Sequence, residues 1–327
     1  MIDVLALILV SAAVGSVFTV VGERLARQLG WLSPTNPYFK DHDKPVALGG
    51  GVSLMTTAAC VFLAWPIDMD TITRFATIAA IGCGMIGLLD DLRSLSPPTK
   101  FLLQAVVASA FVVGVSPATQ DWTGLAMLAT GVVFVIAFIN AFNLLDVSDG
   151  LLPGVSLVSF ACFAMISPAM REVCLVASGL CAGFLLRNAP PASVFLGDSG
   201  SLALGGLAGC LAWGWVSTDP VGRAIPAVLV FGVPLFELVF LIVVRQAGRK
   251  APWHASCDHV AIRLRSAGLS KGAIVLVGLL VAAVFGGAGV AAVDEGPRIS
   301  LVLGSAAIAL VATLALLRFA PAPRGES

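Results

Sequence analysis

Eleven stretches of this 327-residue chain stay apolar for long enough to cross a lipid bilayer: 4–22, 48–66, 72–89, 101–117, 123–143, 152–167, 173–188, 201–217, 225–244, 272–293 and 299–318. A helix needs about 20 residues to span the hydrocarbon core. In lipid every backbone polar group must be satisfied internally, so packed helices are the solution open to such a chain. The stretches at 152–167 and 173–188 are short enough to form a tight hairpin instead. Composition agrees, with 58% hydrophobic and 12% charged residues, against about a quarter charged in a soluble domain. The expected fold is an all-α polytopic membrane protein, a bundle of about 10–11 transmembrane helices. No linker, internal repeat or low-complexity segment divides it, so 1–327 reads as a single integral-membrane domain. The first run lacks a basic leader region and a clear cleavage site, and reads as a retained span.

Orientation follows from Lys and Arg. With eleven spans, the odd-numbered loops and the C-terminus hold fifteen of the nineteen, and the opposite side holds only Arg74, Arg171, Arg223 and Arg298. Cytoplasmic loops carry the basic excess, so the N-terminus is expected to be periplasmic and the C-terminus cytoplasmic. The same parity puts Asp41, Asp43, Asp90, Asp91, Asp146, Asp149, Asp198 and Asp258 at the cytoplasmic end. The net charge of zero implies no nucleic-acid partner. Six of the seven Cys lie in apolar runs without metal spacing and read as small core residues, while Cys257 sits in a polar loop.

Polar residues interrupt this pattern in a few dense places. In Asn140–Gly150, NAFNLLDVSDG, Asn140, Asn143, Asp146 and Asp149 recur every three residues. On a continuing helix they form one polar stripe, which in lipid must face protein, water or an ion. In His42–Val52, HDKPVALGGGV, three glycines open a span beside Lys44. That suits a phosphate at a helix N-terminus, or equally close helix packing. Gly87–Gln104, GLLDDLRSLSPPTKFLLQ, ends one span with Asp90 and Asp91 and opens the next with Lys100. Two such carboxylates suit a hard cation such as Mg²⁺, or simply stop a helix. In Phe195–Gly206, FLGDSGSLALGG, Asp198 either caps a helix or holds a cation beside it. Glu237 lies inside the ninth span, after Pro234, as a functional acid or a paired structural group. His254, Cys257 and His259 offer zinc three ligands without a fourth nearby, whereas a basic, His-bearing loop over carboxylates suits phosphate.

Five stretches, DKPVALGGG, GLLDDLRSLSPPTK, NAFNLLDVSDGLLPG, FLGDSGSLALGG and, more loosely, PWHASCDHVAIRLRSAGLS, resemble in order and loop position the polyprenyl-phosphate N-acetylhexosamine-1-phosphate transferases. These are glycosyltransferase family 4, which includes phospho-N-acetylmuramoyl-pentapeptide transferase and undecaprenyl-phosphate GlcNAc-1-phosphate transferase. The resemblance spans residues 41–270. It implies transfer of a sugar-1-phosphate from a UDP-sugar to a polyprenyl phosphate such as undecaprenyl phosphate, with release of UMP, at the cytoplasmic face of the bacterial inner membrane. It also implies Mg²⁺ as cofactor, with Mn²⁺ as substitute, contact with membrane lipid, and room for a homodimer. The site implied is built from loops 23–47, 90–100, 144–151, 189–200 and 245–271.

By matching position, Asp198 is the Mg²⁺ ligand, and Asp90 and Asp91 are the family's acid pair, one of which deprotonates or orients the acceptor phosphate. Lys100 lies on the phosphate side. Lys44 and Asp149 lie near the nucleoside, and Phe195 is an aromatic that stacks on uracil. Asn140, Asn143 and Asp146 complete the floor, and Glu237 matches an acid of the ninth span. His259 is the histidine kept from an H-x-H-H motif that here reads H-V-A-I. The catalytic set implied is Asp90, Asp91, Asp198 and His259. Val147 stands where the family's DGxDG has glycine, a position that allows backbone angles a β-branched residue avoids. Two other readings stay open: a non-catalytic relative binding lipid phosphate or nucleotide sugar, and a transporter. Transporters share intramembrane acids and broken helices but usually place their sites near the midplane.

Overall fold

The computed structural model describes residues 4–33, 45–65, 67–116, 121–249, 251 and 257–295, excluding the side chains of 294 and 295. The expected span at 299–318, Lys44 and His254 lie outside these residues. The chain folds as α1 (Val4–Gln28), α2 (Gly50–Ala64), α3 (Thr71–Leu92), α4 (Pro97–Val115), α5 (Trp122–Leu145), α6 (Leu151–Ile166), α7 (Arg171–Asn188), α8 (Gly197–Val216), α9 (Pro220–Val230), α10 (Gly232–Ala247), α11 (Val260–Ser266) and α12 (Lys271–Glu295). Among the described residues, seven helices are long and apolar enough to cross a membrane, or eight with α9 and α10 taken as one span, fewer than the 10–11 expected because α2 and α6 run for only 15 and 16 residues. The stretches at 152–167 and 173–188 form two helices, α6 and α7, joined by a short 3-10 turn at Pro168–Met170.

The ninth span, expected as one helix over 225–244, is instead broken at Phe231 with a bend of 82°. Pro234 explains the break. It lacks an N–H, and its ring would clash with the carbonyl of Val230 if the helix ran on. Phe231 fills the elbow, fully buried, with ring centroids 5.3–6.1 Å from Phe138, Phe142, Phe160 and Phe163.

Helix α8 is the axis of the bundle and the most buried of the helices long enough to span a membrane. It packs against α2, α3, α5 and α9. At one end of the bundle, aspartates serve as plain N-caps: Asp70 accepts from Thr73 N at 2.7 Å, Asp121 from Gly124 N at 3.0 Å, and Asp219 from Gly222 N at 3.1 Å. At the other end the loops are tied together. A three-stranded sheet orders β1 (Leu32–Ser33), β2 (Val46–Leu48) and β3 (Val194–Phe195), with β1–β2 antiparallel and β2–β3 parallel. Buried Glu23 anchors the same region, accepting from Arg187 at 2.6 and 2.9 Å, Arg27 at 3.1 Å and Ser193 at 3.1 Å.

Candidate active site

The loops at the sheet end converge on the first turn of α8. Gly87 of α3 makes this possible, since a Cβ there would lie 2.1 Å from the Asp198 carbonyl oxygen. Gly197 opens the turn at φ +72°, a conformation side-chain-bearing residues rarely adopt. Asp91, at the end of α3, accepts from Asp198 N and Ser199 N, each at 2.9 Å. It thereby takes two of the orphan amides at the start of α8 and meets the positive end of the helix dipole.

That cap fixes Asp198 within reach of α4 and α5. Lys100 Nζ donates to Asp90 Oδ2 at 2.9 Å and to Asp198 Oδ2. Asn143 Nδ2 donates to Asp198 Oδ1 and Ser201 Oγ, each at 3.0 Å. Asp90 Oδ1 takes Leu95 N at 2.6 Å, which fixes the turn into α4. With Asp91 compensated by α8, the centre is two carboxylates around one ammonium, a surplus of one negative charge. Below it, Asn140 Nδ2 donates to Gln104 Oε1 at 2.7 Å and to Ile136 O at 2.8 Å.

The donor set fits a hard divalent cation. Asp90 and Asp198 turn one oxygen each toward the same point, now held by Lys100, and Mg²⁺ characteristically takes one or two carboxylates with substrate phosphate and water completing its shell. Among the described residues no three His, Cys, Asp or Glu side chains converge on one point to hold a metal ion.

The expected polar stripe divides. Helix α5 stops at Leu145, with Asp146 as its C-cap, so Asn140 and Asn143 stay on the helix while Asp146 and Asp149 follow in a turn. Asp149 is 4% exposed and accepts from Ala192 N at 3.2 Å and Lys271 Nζ at 3.4 Å. Gly150 N donates to Asn188 Oδ1 at 2.9 Å, fixing that turn to the end of α7. Val147 is unstrained: among the described residues only Arg249 has positive φ without being glycine.

Gly50 and Gly51 serve packing. Their missing side chains admit Phe184 and Phe195 on one side and Ser199 and Gly200 on the other, and Gly51 N donates to Leu196 O at 2.9 Å. Phe195 is 4% exposed and packs with Val46, Ala192 and Leu48, so its ring presents no open face. His259 is paired through Nδ1 with Glu237 Oε1 at 2.9 Å and is not hydrogen-bonded to Asp90 or Asp198. Beside the His259–Glu237 pair lies a small, half-open apolar pocket walled by residues that include Leu145, Val147, Val233, Glu237, Val260 and Phe285.

Sequence reasoning missed four participants. Gln104 follows Lys100 by one helical turn, and Ser201 follows Asp198 by three residues, so helical spacing could have flagged both. Lys271 ends the basic loop expected over 245–271 but was given no role of its own, and Asn188 meets the turn after α5 from far along the chain with nothing local to mark it.

A family model described as glycosyl transferase family 4 matches residues 73–215. The probable undecaprenyl-phosphate N-acetylglucosaminyl 1-phosphate transferase of Bacillus subtilis is 29% identical over 301 residues, covering 87% of this chain and 84% of that protein. The undecaprenyl-phosphate alpha-N-acetylglucosaminyl 1-phosphate transferase of Thermotoga maritima is 32% identical over 224 residues, covering 67% and 68% respectively. The phospho-N-acetylmuramoyl-pentapeptide-transferase of Staphylococcus carnosus is 34% identical over 187 residues, covering 47% and 56%.

Proposed function

The chain belongs to glycosyl transferase family 4, and from that membership we propose that it transfers a sugar-1-phosphate from a UDP-sugar to a polyprenyl phosphate such as undecaprenyl phosphate, releasing UMP. It is a multi-pass bacterial membrane protein. N-acetylhexosamine-1-phosphate is the group we propose it moves. We place the protein in the inner membrane with the sheet end facing the cytoplasm, where the nucleotide sugar is.

The observation that carries the reading is the joining of Asp90 and Asp198 through Lys100 at the end of the bundle where the loops meet. Both substrates bring phosphate there, one soluble and one lipid-borne. In the net reaction an acceptor phosphate oxygen bonds to the sugar-side phosphorus, and that phosphorus loses its bond to UMP. Such transfer depends on positioning and on neutralising charge on the phosphoryl oxygens. Asp198 would hold a Mg²⁺ ion, or Mn²⁺ in its place, which would supply positive charge against the phosphoryl oxygens. Lys100, able to leave either carboxylate, meets phosphate. Asp90 orients the acceptor or takes its proton. Asn143 fixes the rotation of Asp198, and Asp91 holds the turn that carries it. Asp149 and Lys271 frame the nucleoside side, and the apolar pocket beside α10 offers a surface on which part of an isoprenoid chain would lie.

The test supplies purified protein with undecaprenyl phosphate, Mg²⁺ and a panel of UDP-sugars that includes UDP-GlcNAc, and measures UMP. Turnover on one or more sugars, abolished by Asp198→Asn, is expected. Absence of UMP across the panel would leave a binding-only relative as the correct reading.

A further inference from the structure

We infer that Glu23 is a positioning residue for the donor side of the site: through Arg187 and Ser193 it holds the loop before β3, and with it the backbone amide that Asp149 uses. The inference rests on the transferase reading above.

Glu23 lies five residues before the end of α1 and is 7% exposed. An ionisable group so placed is costly unless partnered. An i, i+4 pair with Arg27 could form on any exposed helix face and needs no burial. The partners of the second oxygen account for the burial. Oε1 takes Arg27 Nε at 3.1 Å. Oε2 turns away from the helix and accepts from Arg187 Nη2 at 2.6 Å, Arg187 Nε at 2.9 Å and Ser193 Oγ at 3.1 Å.

Arg187 is the penultimate residue of α7, and Ser193 is the last before β3. Between them the chain closes on itself, Ser193 N donating to Arg187 O at 2.9 Å. The Ser193 hydroxyl has one proton and two acceptors at 3.1 Å, Glu23 Oε2 and Arg187 O. The carboxylate, being charged, is the stronger of the two. Arg27 Nη2 adds a bond to Ser193 O at 3.1 Å. Helix α1 therefore grips both the backbone and the side chain of Ser193.

The same short loop reaches the site. Ala192 N, next to Ser193, donates to Asp149 Oδ2 at 3.2 Å. Asn188, next to Arg187, donates through Nδ2 to Val194 O at 2.8 Å and accepts from Gly150 N at 2.9 Å. Each loop residue that Glu23 holds is thus the chain neighbour of one that meets the turn after α5. None of these residues lines the apolar pocket beside α10. A shift of the loop is felt where Asp149 meets the nucleoside and not where the isoprenoid lies. A plain staple between α1 and α7 would show no preference for one substrate.

The test uses the full chain in lipid nanodiscs, with Glu23→Leu, Glu23→Gln, Ser193→Ala and the Glu23→Leu/Ser193→Ala double variant. The Arg187 and Arg27 side chains are 42% and 46% exposed, so water takes over their charge when the carboxylate goes, and a thermal melt checks each fold. KM and kcat are measured separately for undecaprenyl phosphate and for the UDP-sugar of highest turnover. A misplacement of about 1 Å made far from the chemistry can cost about 10²-fold. The loop keeps its bonds to Arg187 O and Arg27, so Glu23→Leu is expected to raise the UDP-sugar KM by less than that, about tenfold, with kcat and the lipid KM little changed. Glu23→Gln, with one acceptor oxygen left, should fall between Leu and wild type. The double variant should be no worse than Glu23→Leu. Equal losses for both substrates, an unchanged UDP-sugar KM, or losses that multiply in the double variant would each overturn the inference. Should Glu23→Leu fail to fold, Glu23→Gln and Ser193→Ala judge it by the same split. Wild-type turnover judges the transferase reading separately. If no UDP-sugar is turned over, hydrogen exchange decides: faster exchange of the Ala192 and Gly150 amides in Glu23→Leu, with α1 unchanged, supports the brace, and exchange indifferent to the substitution overturns it.

Discussion

Replacing Asp198 with Asn separates the chemistry of the centre from its folding. In the wild type, Oδ2 faces Lys100 and Oδ1 faces the Asn143 amide at 3.0 Å. In the variant the remaining carbonyl oxygen can keep the ammonium. The new NH₂ then meets Asn143, which can flip its own amide and accept, with Ser201 Oγ turning from acceptor to donor. Every polar atom finds a partner, and what is lost is the difference between a charge-assisted and a neutral hydrogen bond, about 1 kcal/mol. The charge balance changes far more. Two carboxylates around one ammonium become one, and the surplus that would draw a divalent cation and its diphosphate disappears. Removing one preorganised electrostatic group typically costs about 10²–10³ in kcat. UMP release measured against Mg²⁺ concentration, beside a thermal melt in the same detergent, reads both quantities. The expected result is a loss of at least about 100-fold with a nearly unchanged melt. Turnover within about threefold of wild type at equal Mg²⁺ would refute the reasoning, because so small an effect is below that of any group acting on the transferring phosphate.

Other outcomes follow from the same geometry. A chelator should stop UMP release and Mg²⁺ restore it, with Mn²⁺ as a substitute; turnover that survives exhaustive chelation would remove the cation from the mechanism. Asp91→Ala strips the cap from α8, and loss of such a cap costs about 0.5–2 kcal/mol. A lower melting temperature with an unchanged Mg²⁺ requirement is expected, and a normal melt with no turnover would make Asp91 a reacting group. Val147→Gly restores the family's residue but frees the unfolded chain, at about 0.4–1 kcal/mol. The expected variant is less stable and no faster, and a gain in rate would show that the turn needs glycine after all.

The bundle was legible because its cause is local. Each apolar run carries its own requirement for a helix, and ten of the eleven expected runs have helices among the described residues. The break at Phe231 was legible in principle too, since Pro234 forbids a straight helix through Val230. The sheet was not: two-residue strands such as Leu32–Ser33 and Val194–Phe195 leave no periodicity to read, and their partners lie far apart in sequence. The site was legible as a list of residues and not as roles. Asp90 and Asp91 are adjacent and chemically identical, yet one faces Lys100 and the other caps α8, a division decided by helix phase at the end of α3. Phe195, expected by resemblance to stack on uracil, lies in a small core with Val46 and Ala192 because strand pairing turns it inward.

The stretch after α5 shows how the two halves of the site can be one device. Its three-residue spacing suggested a single stripe, which a helix ending at Leu145 cannot provide. Asp and Ser side chains compete with helical hydrogen bonds, and the left-handed Gly150, at φ +73°, reverses the chain into α6. The termination is useful. On the helix, Asn143 reaches Asp198 and the proposed phosphate centre; past it, Asp149 reaches Lys271 and the loop before β3. Between them Val147 turns into the wall of the apolar pocket. Between Asn143 and Asp149 the chain thus touches the proposed sites of cation, nucleoside and lipid, and a rigid turn there fixes their spacing. A continuous helix would have carried Asn140 and Asp149 to opposite sides of its axis, nine residues being two and a half turns at about 3.6 residues per turn. The broken one can address a soluble donor and a membrane acceptor at once, which is what transfer between the two requires.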